Sequence, residues 1–142
     1  MRLSLHSDQK SPVVRVTVGS EIKIRLACLV DTGFTEYLAG FLHVDGTGTM
    51  RTSLGNADYL APPHRLPRSQ WGSLADGSRP ETWVATVQCE FEGVTRNCET
   101  LLFPVAAQQD VPLILGMSFL KLFKADLSLH FSTRTFALDV RR

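Results

Sequence analysis

No apolar run in these 142 residues approaches the ~20 residues that a membrane-spanning helix needs. The opening stretch "MRLSLHSDQKSP" lacks the apolar core of a secretion signal. Charge is balanced: 15 Lys and Arg against 14 Asp and Glu leave a net charge of +1, too little to draw the chain to nucleic acid or an anionic membrane. Cysteine is scarce. Cys28, Cys89 and Cys98 form no C-x-x-C pair, and their odd number argues against a disulfide framework and for a reducing compartment. His6, His43, His64 and His130 are scattered, with no H-E-x-x-H and no Cys/His spacing suited to zinc, so no metal or other cofactor is expected. "DGTGT" at 45–49 lacks the Lys and the helix of a phosphate-binding loop, and the terminal Arg141-Arg142 is too short to grip nucleic acid. These absences point to a soluble, cytoplasmic protein with neither a nucleic-acid nor a membrane partner.

What is present is a pattern of alternation. With 44% hydrophobic and 20% charged residues, the chain has the composition of one globular domain spanning 1–142, long enough to bury roughly two thirds of its unfolded surface. Val14, Val16 and Val18 share one face of "VVRVTV", as do Ile22, Ile24, Leu26, Cys28 and Val30 of "EIKIRLACLV". This period of two predicts strands, joined by a turn at Gly19-Ser20. "EYLAGFLHV" (36–44) predicts another strand, whereas 45–72, rich in Gly, Pro, Ser and Asn, predicts a long loop with a helical turn. Alternation resumes at Trp83, Ala85, Val87, Cys89 and Phe91, turns at Glu92-Gly93, and returns through 94–105. A short strand in "VPLILG" (111–116), a short helix in "MSFLKLF" and a hairpin through Ser132-Thr133-Arg134 complete seven or eight strands and one helix. The expected class is all-β and barrel-like.

One triplet stands out. Asp31-Thr32-Gly33 follows the apolar run Cys28-Leu29-Val30 and precedes a second apolar segment. Asp and Gly are ordinary turn residues, so the triplet alone reads as a surface turn. Its position, closing a core strand, predicts instead that the carboxylate lies in a concavity, where an ionisable group is hydrogen-bonded or used.

"LVDTGFTEYL" followed far downstream by "VPLILGMSFL" resembles the retropepsin-like aspartic proteases, in particular their single-lobe prokaryotic branch. The resemblance runs from about Val13 to Val140, with the two motifs in the family's order. It implies a retropepsin-like barrel with one short C-terminal helix that works as a two-fold dimer. It also implies that Asp31 is the catalytic carboxylate, that Thr32 bonds across the dimer axis, that Gly33 lies close to the carboxylate, and that Gly116 lets its strand pack behind the loop. A flap over the substrate is expected in 73–87, with its tip at Ala75, Asp76, Gly77 and Ser78; Asp-Gly is a hairpin signal in its own right. Phe34 and the length of 46–71 bear on the shape of the substrate cleft. Such enzymes need two carboxylates sharing one proton, and no second Asp-Thr-Gly or Asp-Ser-Gly occurs here, so a second copy must supply the partner.

Other candidates carry less. Cys28 shares the inward face of its strand and reads as a structural thiol rather than a nucleophile. "PPHRLPRSQW" (62–71) reads as a solvated loop rather than a binding patch. The reading is therefore an aspartic endopeptidase acting on peptide or protein substrates. Its rivals are a catalytically silent retropepsin-like module for dimerisation or peptide binding, and an unrelated β-barrel in which the triplet is a turn.

Overall fold

The structure, a computed structural model, describes residues 2–4, 12–74 and 76–141. The strands are β1 (Arg2–Ser4), β2 (Val13–Val18), β3 (Ile24–Val30), β4 (Leu38–Val44), β5 (Met50–Thr52), β6 (Ala61–Arg65), β7 (Trp83–Phe91), β8 (Val94–Pro104), β9 (Leu113–Leu115), β10 (Ala125–His130) and β11 (Thr135–Val140). One helix, α1 (Met117–Leu122), and a single 3-10 turn at Arg68–Gln70 complete the described elements. No helix among the described residues is long and apolar enough to cross a membrane.

Six strands close on themselves. β2 pairs antiparallel with β3, β3 parallel with β9, β9 antiparallel with β4, β4 parallel with β8, and β8 antiparallel with β7. β7 then returns to β2 through Thr17↔Glu90 and Val18↔Cys89, which shuts the barrel and leaves none of its six strands with two open sides. The inward alternation follows the sequence: Val14, Val16, Val18, Cys28, Val30, Ala85, Val87, Cys89, Leu113 and Leu115 are buried. β11 pairs with both β1 and β10 in a separate three-stranded sheet, and its Phe136 and Leu138 also enter the core. α1 packs against the barrel with Phe119 and Phe123, stacked 4.4 Å apart and both edge-on to Phe91.

Three expectations need correction. Ile22 does not continue the strand; it is 54% exposed, in a loop that runs from Gly19 to Lys23. The cause is Asp58, whose carboxylate accepts hydrogen bonds from the backbone amides of Ser20, Glu21 and Ile22 and from the Ser20 hydroxyl. The supposed loop 45–72 contains two strands as well as its helical turn. β6 escaped notice because its sequence is Ala-Pro-Pro-His-Arg: proline has no N–H to give a ladder, so β6 is tolerated as an edge strand, and its register with β7 shifts across the prolines, between Ala61 and His64. The strand count among the described residues accordingly reaches eleven, three of them only three residues long.

Candidate active site

β3 delivers Asp31 with its backbone already fixed. Val30 pairs with Leu115 in the parallel ladder, and the next amide, that of Asp31, donates to the Leu115 carbonyl at 2.9 Å. The chain then turns sharply, the Phe34 amide donating to the Asp31 carbonyl at 3.1 Å. Within that turn the Gly33 amide donates to Asp31 Oδ1 at 2.9 Å, so one carboxylate oxygen is held by the backbone while Oδ2 has no partner among the described residues. Such an Asx turn orients the carboxylate.

The far side of the loop is tied to the β9–α1 junction. Gly116 donates to the Tyr37 carbonyl at 2.9 Å, Met117 to that of Phe34 at 2.8 Å and Ser118 to that of Glu36 at 3.2 Å, while the Ser118 hydroxyl bonds the Thr35 carbonyl. The two segments approach so closely that a methyl group on Gly116 would stand 2.2 Å from the Glu36 carbonyl oxygen and 2.6 Å from that of Phe34. Only glycine fits there. Four hydrogen bonds and a steric fit therefore join two motifs that lie some eighty residues apart in sequence.

Asp31, Thr32 and Gly33 are all exposed in the single chain, rather than sunk in its interior. Asp31 and Gly33 line the wall of a cleft of about 1060 Å³, formed on the outer face of the barrel by Leu29 of β3, Ile114 of β9, Ala39 and Phe41 of β4, and Glu99, Leu101 and Phe103 of β8. Thr32 faces a different depression, of about 530 Å³, with Met117, Leu120, Lys121 and Leu127. The triplet thus lies between two depressions, Asp31 and Gly33 at the cleft and Thr32 at the surface formed by α1 and β10.

Residues 66–82 make a long excursion between β6 and β7 and supply the other wall of the cleft through Leu66, Gln70, Gly72, Ser73 and Leu74. The excursion is cross-braced. Leu66 donates to the Thr82 carbonyl, the Trp71 indole to that of Leu66, and Gly72 to the buried Thr82 hydroxyl. The Arg79 guanidinium reaches the carbonyls of Arg68, Ser69 and Trp71. At its tip Asp76, Gly77 and Ser78 form a tight turn, with Gly77 at φ +84° and the Asp76 carboxylate accepting from Ser78. These three residues stand beside the cleft and do not line it; Ala75 lies outside the described residues.

The cleft floor was missed in the sequence, although a signal existed. Residues 99–103 are apolar on both faces of one strand from Leu101 onward, which requires cover on the outside as well as the inside of the barrel. Cys28 is fully buried; burial, reinforced by the neighbouring Cys98, pushes its thiol up to about 12, which removes it as a nucleophile near neutral pH. Among the described residues no group of three or more His, Cys, Asp or Glu side chains could hold a metal ion.

No family model matches the chain. No curated protein matches it either. In three dimensions it is similar to the EIAV protease complexed with the inhibitor HBY-793, with a TM-score of 0.56 and 19% sequence identity over 87% of this chain and 98% of that one. A likeness at that level of identity speaks to architecture alone, and the architecture is a retropepsin-like barrel.

Proposed function

We propose that the chain is an aspartic-type endopeptidase that works as a homodimer, Asp31 of each copy supplying half of the catalytic pair. The observation that carries this reading is the state of the Asp31 carboxylate on a retropepsin-like fold. One oxygen is held by the Gly33 amide, the other is open, and both stand at the wall of a cleft large enough for a peptide.

In this mechanism two Asp31 side chains face each other across a two-fold axis and share one proton, because two carboxylates in close contact do not both ionise readily. The ionised member takes a proton from a water molecule, whose oxygen attacks the scissile carbonyl carbon. The protonated member stabilises the oxygen that gains charge, and the tetrahedral intermediate collapses as the C–N bond breaks and the departing nitrogen takes up the proton that the other Asp31 drew from the water. Gly33 and Gly116 act on positioning: one fixes the carboxylate, the other lets the supporting strand close behind it.

Dimerisation is supported by the other face of the triplet. Thr32 opens onto the depression with Met117 and Leu127, and β10 beside it has an edge unpaired among the described residues, with Leu129 exposed. A second copy covering this surface would bring the two triplets together, with Thr32 beside the axis and the isologous symmetry usual in homodimers. Three free, buried thiols (Cys28, Cys89 and Cys98) favour a reducing compartment, the cytoplasm, as the place of work. The excursion 66–82 takes the part of the flap.

The test is digestion of a peptide library by the wild type and by Asp31→Asn, which keeps the shape of the side chain and cannot take the proton. Cleavage by the wild type alone is expected. Cleavage by the purified variant contradicts the reading, and binding of peptides without cleavage by either form replaces the enzyme with a peptide-binding module.

A further inference from the structure

The cleft carries charge of one sign only. Asp31, Glu36 and Glu99 are the charged residues that line it, and among the described residues no Lys, Arg or His does so. This is unexpected in a chain whose overall charge is balanced. The topology explains how the two glutamates meet at one end. Leu38 pairs with Thr100 in the parallel β4–β8 ladder and with Leu115 in the antiparallel β4–β9 ladder, while Leu115 pairs with Val30. Glu36, just before β4, and Glu99, just before Thr100, are thereby brought to the same end of the barrel as Asp31. Both are exposed, and neither side chain has an ion pair or hydrogen bond among the described residues.

Around them the wall is apolar, contributed by Leu29, Phe34, Phe41, Leu101, Phe103 and Ile114. A charge beside such a wall acts through a lower effective dielectric than one on open surface, and a cleft lined by one sign concentrates ligands of the other. We infer that the occupant is an extended peptide segment, mostly apolar, carrying a Lys or Arg whose cation lies against Glu36 and Glu99. The two glutamates are then specificity residues. This inference rests on the peptide-cleaving reading of the same cleft and adds the substrate class to it.

The experiment uses octapeptides of Leu, Phe, Val and Ser in which a single Arg is moved through every position, and the same set with Gln in place of Arg. Hydrolysis by the wild type is compared with that by the Glu36→Gln/Glu99→Gln double variant and by the charge-retaining Glu36→Asp/Glu99→Asp. In parallel, binding of both peptide sets is measured on Asp31→Asn with and without the two Gln substitutions. At one or two positions Arg should be preferred over Gln by about three- to fivefold at low salt, the range of an exposed ion pair. The preference should vanish in the double Gln variant, survive in the double Asp variant and shrink at high salt. Equal handling of Arg and Gln peptides by the wild type and Asp31→Asn overturns the inference, as does a preference that persists after both Gln substitutions. A binding preference on Asp31→Asn that depends on the glutamates, with no hydrolysis by any form, upholds the charge recognition while removing the peptidase.

Discussion

A methyl group at position 116 would overlap two backbone carbonyl oxygens, and neither can retreat without breaking the hydrogen bonds that hold 34–37 to the start of α1. Gly116→Ala should therefore destabilise the chain by about 2–3 kcal/mol, the cost of forcing an extra carbon into a packed site, and reduce peptide hydrolysis more than stability alone explains. Urea midpoints alongside initial rates make the comparison. Gly33 is more forgiving, its added carbon standing 3.2 Å from Asp31 Oδ1, so Gly33→Ala should fold normally and lose activity by moving the carboxylate. Thr100 predicts the opposite sign. Its hydroxyl is buried in the barrel with no hydrogen-bond partner among the described residues, so Thr100→Val should raise stability by about 1 kcal/mol in a urea titration. At this scale the triplet and Gly116 were legible in the sequence, because glycine and a core-flanking acid leave a pattern. Glu36 and Glu99 were not, because their proximity depends on the parallel pairing of β4 with β8, a contact between segments some sixty residues apart.

Among the elements, the loop joining β2 to β3 and the excursion over the cleft respond to different treatments. Asp58 anchors the loop by bonding the Ser20 hydroxyl and the amides of Ser20, Glu21 and Ile22, and these bonds lower its carboxyl from the ordinary 3.8 to about 2. A depressed acid stabilises the fold above its unfolded value and loses that contribution as pH falls through the folded one. The advantage of the wild type over Asp58→Asn should hold at pH 7, narrow from about pH 4 downward and be gone below pH 2. Urea midpoints of both proteins across that range check it, and a constant gap would show that Asp58 works by shape rather than charge. Arg79→Ala should leave the global urea midpoint nearly unchanged, since Arg79 is exposed and braces only 68–71. It should speed amide exchange in 66–74 and raise KM. The alternating strands β2, β7 and β8 were readable because each buries alternate residues against the core. β5 and β6 were not: one is three residues long, and the other carries two prolines that only an edge strand tolerates.

For the whole molecule, a closed barrel gives one chain a complete core but only one Asp-Thr-Gly. On the proposed reading a second copy completes the site at the surface beyond Thr32, so Thr32→Ala should weaken association about tenfold to a hundredfold through two symmetric hydrogen bonds, and Thr32→Ser much less. Sedimentation across a dilution series reads that difference directly. Barrel closure itself was legible only as a class, since alternation announces strands without saying which neighbours they choose. The central claim, two chains sharing one pair of Asp31 carboxylates, is tested most directly by titrating a fixed amount of wild type with Asp31→Asn under conditions where subunits exchange. Mixed dimers hold one carboxylate, so the account predicts hydrolysis falling to about half at equal amounts and to about a tenth at tenfold excess of the variant. Hydrolysis that stays constant as the variant is added would mean that each chain cleaves alone, and would contradict the account.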